Sequence, residues 1–167
     1  MIKLAWVIDF CQECLSGDGV SFGLNLPPMN KLIRFGRISL FIIYFWFGIL
    51  KVLGISPAEP LVNNLFDQIL AGIIPFDIFS RLFGLFECII GIIWLFPQIT
   101  RMALYILLIH MVSTFLPVLL LPNDTWHSWF TPTLVGQYII KNFALIALGM
   151  IIFQVDQPKT RTPEVSI

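Results

Sequence analysis

The sequence predicts an all-α membrane protein, a bundle of four transmembrane helices with an extra amphipathic interfacial helix between the first and the second. Three observations predict it. The chain of 167 residues is 57% hydrophobic and only 12% charged, about half the charged share of a soluble domain. Four apolar runs of spanning length recur along it, each near the roughly 20 residues that a membrane helix needs. Each run also holds, in it or near its end, one ionisable side chain: Lys51, Glu87, His110 or Lys141. A charge at the bilayer centre costs at least ~2.5–3.5 kcal/mol, so such groups turn toward a bundle interior and pair.

Residues 1–30 read as a cytoplasmic tail. Leu4, Trp6, Val7, Ile8 and Phe10 suit a membrane surface, while Gly17-Asp18-Gly19 and Pro27-Pro28 interrupt any helix. The apolar run is too short for a secretory signal, and Asp9 follows it at once. The membrane domain covers residues 31–153. Its first span runs from Leu32 to Leu53, opening with Arg34 and Arg37 and closing with Lys51 and Gly54. Pro57 and Pro60 stop it. From Leu61 to Ile74, apolar residues recur at helical spacing opposite Asn63, Asn64, Asp67 and Gln68. That segment is too short and polar to cross, and lies in the interface.

The second span starts at Pro75 or Phe76 and ends at Pro97, with Glu87 inside it. The short turn Gln98 to Arg101 forces an antiparallel third span, Met102 to Leu121. The loop from Pro122 to Pro132 carries Trp126, Trp129 and Phe130, aromatics suited to the headgroup level. The fourth span runs from Leu134 to Phe153. Residues 154–167 are polar, contain Pro158 and Pro163, and read as a disordered tail.

Charge sets the orientation. Lys3, Lys31, Arg34, Arg37, Arg101, Lys159 and Arg161 fall on one side, and only Arg81 on the other. By the positive-inside rule both termini are cytoplasmic, and the amphipathic helix and aromatic loop face outward. The formal net charge is zero, which gives nucleic acid no foothold. The partners expected are the lipid bilayer and other membrane subunits or a second copy of the chain.

Depth brings the polar residues together. Lys51 ends an outward helix, and Glu87 and Lys141 lie in the outer halves of two inward ones, so a cluster of Lys51, Glu87 and Lys141 is expected. It would suit an anionic or strongly polar ligand, or simply fix the packing. Asn142 and His110 are candidates to join it through hydrogen bonds. Gly84, Cys88 and Gly91 form a small-residue stripe beside Glu87, the pattern that lets membrane helices approach closely. Cys11-Gln12-Glu13-Cys14 is a bare CxxC with neither a thioredoxin-like setting nor zinc spacing. No second His stands at metal spacing, and no nucleotide-binding, zincin or nucleophile-elbow motif occurs. No catalytic residue and no metal are therefore assigned, and the balance lies against an enzyme.

Three short motifs resemble the DoxX family and its YkgB-type relatives. They are Phe47-Gly48-Ile49-Leu50-Lys51-Val52-Leu53-Gly54, Gly84-Leu85-Phe86-Glu87-Cys88-Ile89-Ile90-Gly91, and Tyr138-Ile139-Ile140-Lys141-Asn142-Phe143-Ala144-Leu145. They stand in the family's order and spacing between Lys31 and Phe153. The resemblance implies a small four-helix protein of the bacterial inner membrane. Family members are associated with sulfur or quinone oxidation, oxidative-stress resistance and the assembly of other membrane proteins. The expected function is a non-catalytic accessory or assembly subunit of a redox-associated membrane complex. The alternatives are a redox-linked protein binding quinone or another small ligand, quinone being the one cofactor in view, and a small anion or proton transporter.

Overall fold

A computed structural model describes residues 28–70 and 73–156. The tail with Cys11 and Cys14, and the chain beyond 156, lie outside the described residues.

Helix α1, Met29–Val52, starts directly after Pro28, whose ψ of 144° is extended and not helical. Its end is built by the sequence Leu53-Gly54-Ile55. Gly54 takes φ +70°, and the N–H groups of Gly54 and Ile55 bond the carbonyls of Lys51 and Leu50 at 3.0 Å each. This is a Schellman termination, which needs a residue without Cβ at the left-handed position. Helix α2, Glu59–Ile69, carries Pro60 inside its first turn, where its missing N–H has no helical partner to lose. The amphipathic segment therefore begins two residues earlier than Leu61 and ends before Ile74.

Helix α3, Phe76–Ile93, follows Pro75, and a 3-10 turn at Pro97–Ile99 leads into α4, Thr100–Leu120, with Pro117 inside it. The loop after it holds a short helix α5, Pro122–Thr125, and a two-stranded antiparallel ribbon, β1 Trp126–Ser128 and β2 Thr131–Pro132. Helix α6, Leu134–Asp156, continues three residues past Phe153. Residues 154–156 are thus helix and not tail. The first helix likewise reaches back to Met29, inside the segment read as tail.

The described chain is mostly helical, and three helices are long and apolar enough to cross a membrane: α1, the stretch Pro97–Leu120 containing α4, and α6. The four longest helices alternate in direction. Arg37 near the start of α1 meets Trp94 at the end of α3, and Lys51 near the end of α1 meets Glu87, so α1 and α3 are antiparallel. Arg37 also meets Thr100, and Tyr44 meets His110, so α4 runs with α1. Contacts of Gly149 with Leu107 and of Phe143 with Phe115 place α6 antiparallel to α4. The core threading them contains Leu40, Tyr44, Ile90, Trp94, Leu107 and Ile152.

Helices α1 and α3 touch backbone to backbone. A Cβ added to Gly48 would lie 2.6 Å from the Gly84 carbonyl oxygen, and one added to Gly84 would lie 2.6 Å from that of Gly48. Gly91 faces the Phe41 carbonyl and Tyr44 in the same way. Small residues substitute here for the hydrophobic drive that lipid cannot supply. The contact sets the register that aligns Lys51 with Glu87.

Candidate functional site

The α1 residues that turn inward are Gly36, Arg37, Leu40, Tyr44, Gly48 and Lys51, one helical stripe with three- and four-residue spacing. Lys51 ends that stripe. Its ammonium donates to both carboxylate oxygens of Glu87 at 2.5 Å. His110 approaches from α4 with Nε2 3.3 Å from Glu87 Oε1. That contact is electrostatic proximity without hydrogen-bond alignment, since Nε2 has no hydrogen-bond partner. On the other ring edge, the Thr114 hydroxyl lies 3.4 Å from His110 Nδ1. Lys51, Glu87 and His110 are 7%, 6% and 5% exposed, so three ionisable groups from three helices share one dry locus.

Aromatic rings wall it. Phe83 stacks on the His110 ring at 5.4 Å, and the Lys51 ammonium lies 5.2 Å from the Phe83 centroid. Phe83 stacks in turn on Phe79, and Phe79 meets Phe66 of α2 at a tilt of 40°. A column of rings thus runs from α2 down to the cluster. Tyr44 meets His110 edge to face at 5.4 Å, and its buried hydroxyl has no hydrogen-bond partner. An open hollow beside α2 is lined by Ile55, Pro57, Asn63 and Phe76, among others. None of its lining residues belongs to the cluster.

Of the residues the sequence singled out, Lys51, Glu87 and His110 come together, with Gly84, Cys88 and Gly91 beside them on the α1–α3 contact. Lys141 does not join. Its side chain is exposed, with its ammonium 4.9 Å from the Tyr138 ring. The buried stripe of α6 is Gly136, Ile139, Gly149 and Ile152. Lys141 stands two residues from Ile139, about 200° around a helix of 3.6 residues per turn. Asn142, three residues from Ile139, is half-buried. His110 takes the place in the cluster that depth alone assigned to Lys141.

A second polar group holds the opposite end. The Arg37 guanidinium donates to the Trp94 carbonyl at 3.0 Å, to Thr100 Oγ1 at 2.5 Å and to the Asp156 carboxylate. The Thr100 hydroxyl lies 2.7 Å from the same carboxylate. The sequence alone marks Arg37 only as a flanking charge and places Asp156 in the tail. Tyr44 lies seven residues before Lys51 on the same stripe, and that spacing is the signal that points to it. Among the described residues, no group of three His, Cys, Asp or Glu side chains is arranged for a metal. Comparison with protein-family models, curated proteins and solved structures finds no match.

Proposed function

We propose that this protein is a small integral membrane protein of DoxX-like type, acting as a non-catalytic accessory or assembly subunit of a redox-associated membrane complex. The observation that carries this reading is the mutual neutralisation of the interior charges. Lys51 pairs with both carboxylate oxygens of Glu87, and the glycine contact locks the two helices that bring them. Such a cluster specifies a packing arrangement, and it is the fold that then presents an apolar exterior to lipid and to neighbours.

The length of α3 supports a fourth crossing. Its 18 residues rise about 27 Å, against a hydrocarbon core of about 30 Å. It carries Asp77, Arg81 and Glu87, but Glu87 is neutralised by Lys51 and the other two stand in its first two turns. Two parallel helices, α1 and α4, also need one return crossing between them. The amphipathic α2 then lies in the outer interface, and both termini stay in the cytoplasm of a bacterial cell.

The test is Glu87→Gln in native membranes. The reading expects lower yield, lower thermal stability and loss of co-isolated subunits. Unchanged melting together with unchanged partner recovery would overturn it.

One observation favours a second reading, a site for quinone or another small ligand. The Tyr44 hydroxyl and His110 Nε2 are buried without hydrogen-bond partners beside a ring column, and both could bond a carbonyl oxygen. Saturable ubiquinone quenching of tryptophan fluorescence that disappears in His110→Leu would support this; identical titrations for the two proteins would eliminate it.

A further inference from the structure

We infer that the exposed face of α6 around Lys141 is a docking face for a transmembrane helix of a partner protein that carries a carboxylate within the bilayer. The inference deepens the accessory-subunit reading and rests on it. Burial differs among the spanning helices. Within its most apolar 18-residue window, α6 is 17% buried, against 33% for each of the other two candidate spans. Helix α6 is therefore the least covered spanning helix.

Like the exposed side of α1, with Phe35, Ile38, Ile42 and Trp46, the uncovered side of α6 carries large apolar residues, Tyr138, Ile140 and Phe143 among them, but it also carries polar groups well inside the span. On α6, Gln137, Lys141 and Ala144 are all exposed, and they fall on one side at four- and three-residue spacing. A small residue permits close backbone approach, and an amide and an ammonium offer donors across a helix contact. Lys141 lies seven residues into α6, about 10 Å along its axis. It is the deepest exposed cation in the described helices that are apolar enough to span. Lys51 and Arg37, by contrast, have carboxylates of their own. Tyr138 supplies Lys141 only a ring face, which leaves the three N–H donors of the ammonium to a group outside this chain. The complement to that face is a carboxylate at matching depth, with Gln137 beside it to accept or donate a second bond.

Fluorescence energy transfer in phosphatidylcholine vesicles tests this with the full-length protein. The probe is a Leu/Ala spanning peptide with one Glu seven residues from its end, compared with the same peptide carrying Gln. The Glu peptide is expected to associate about tenfold more tightly, the scale of an intramembrane polar pair. Lys141→Met should abolish that preference and Lys141→Arg should keep it; because the side chain is exposed, neither change disturbs the fold. Equal association of the two peptides would overturn the docking face. So would a wild-type preference for phosphatidylglycerol over phosphatidylcholine with no preference between peptides, because lipid phosphate would then be the counter-ion. Partner subunits from native membranes that stay bound to Lys141→Met would refute the docking face and leave the accessory reading standing. A Glu-peptide preference in a protein that isolates without subunits would do the reverse.

Discussion

Glu87 shows how little of a buried ion pair is visible in any one residue. Removing one partner of such a pair leaves an uncompensated charge, a loss of about 3–5 kcal/mol in soluble interiors. Lys51→Met and Glu87→Gln should each lower the thermal midpoint in detergent, whereas the double variant should lose clearly less than the two singles combined. Residues in direct contact couple in this way by about 0.5–3 kcal/mol. Additive losses would mean that the 2.5 Å contacts do not govern stability. The partnership was legible from depth, because Lys51 and Glu87 sit at overlapping heights on helices of opposite direction. The third member was legible only as one of several candidates, Lys141, Asn142 and His110. Depth gives height but not azimuth, and azimuth turns Lys141 outward while His110 follows the buried Leu107 by three residues on α4.

At the scale of elements, two glycines illustrate different demands. Gly54 needs a left-handed backbone and has open space where a Cβ would stand. Gly84 needs room, because the Gly48 carbonyl oxygen fills the position its Cβ would take. Gly54→Ala should therefore cost about 1–2 kcal/mol, the strain of an L-residue in that conformation, and leave the Lys51–Glu87 pair intact. Gly84→Val should push α1 and α3 apart and break the pair as well. Cysteine cross-linking across the α1–α3 contact distinguishes the two, surviving in Gly54→Ala and failing in Gly84→Val. The stripe of Gly84, Cys88 and Gly91 was readable from spacing, since close approach requires small residues wherever it occurs. Helix ends were less readable. Pro60 looked like a stop and sits instead in a first turn, and the polar Gln154-Val155-Asp156 looked like tail. Arg37 draws Asp156 back onto α1 and Thr100, and so extends α6. Asp156→Asn should release that last turn, seen as faster amide exchange over residues 152–156 with little change near Glu87.

For the whole molecule, topology follows from which ends meet. Arg37 near the start of α1 and Thr100 at the start of α4 share one hydrogen bond, so both helices leave from the same side. If α1 crosses, the chain has to return before Thr100, and Phe76–Ile93 is the one described helix between them with the length to do it. The composition of α3 does not announce such a return, because three charges fall in its 18 residues. The positive-inside pattern points the same way, with Arg34, Arg37 and Arg101 at one end and the Trp129–Phe130 tip at the other. Single cysteines at Asn64, Trp129, Lys31 and Arg101, in a protein with Cys11, Cys14 and Cys88 changed to serine, give the decisive reading. A membrane-impermeant maleimide applied to intact cells should label positions 64 and 129 and should reach 31 and 101 only after permeabilisation. Labelling of 101 in intact cells would place the α3–α4 turn outside. It would reduce the proposed crossings to three and pull the Arg37–Thr100 contact apart, and with it the shared register that sets Lys51, Glu87 and His110 at one height.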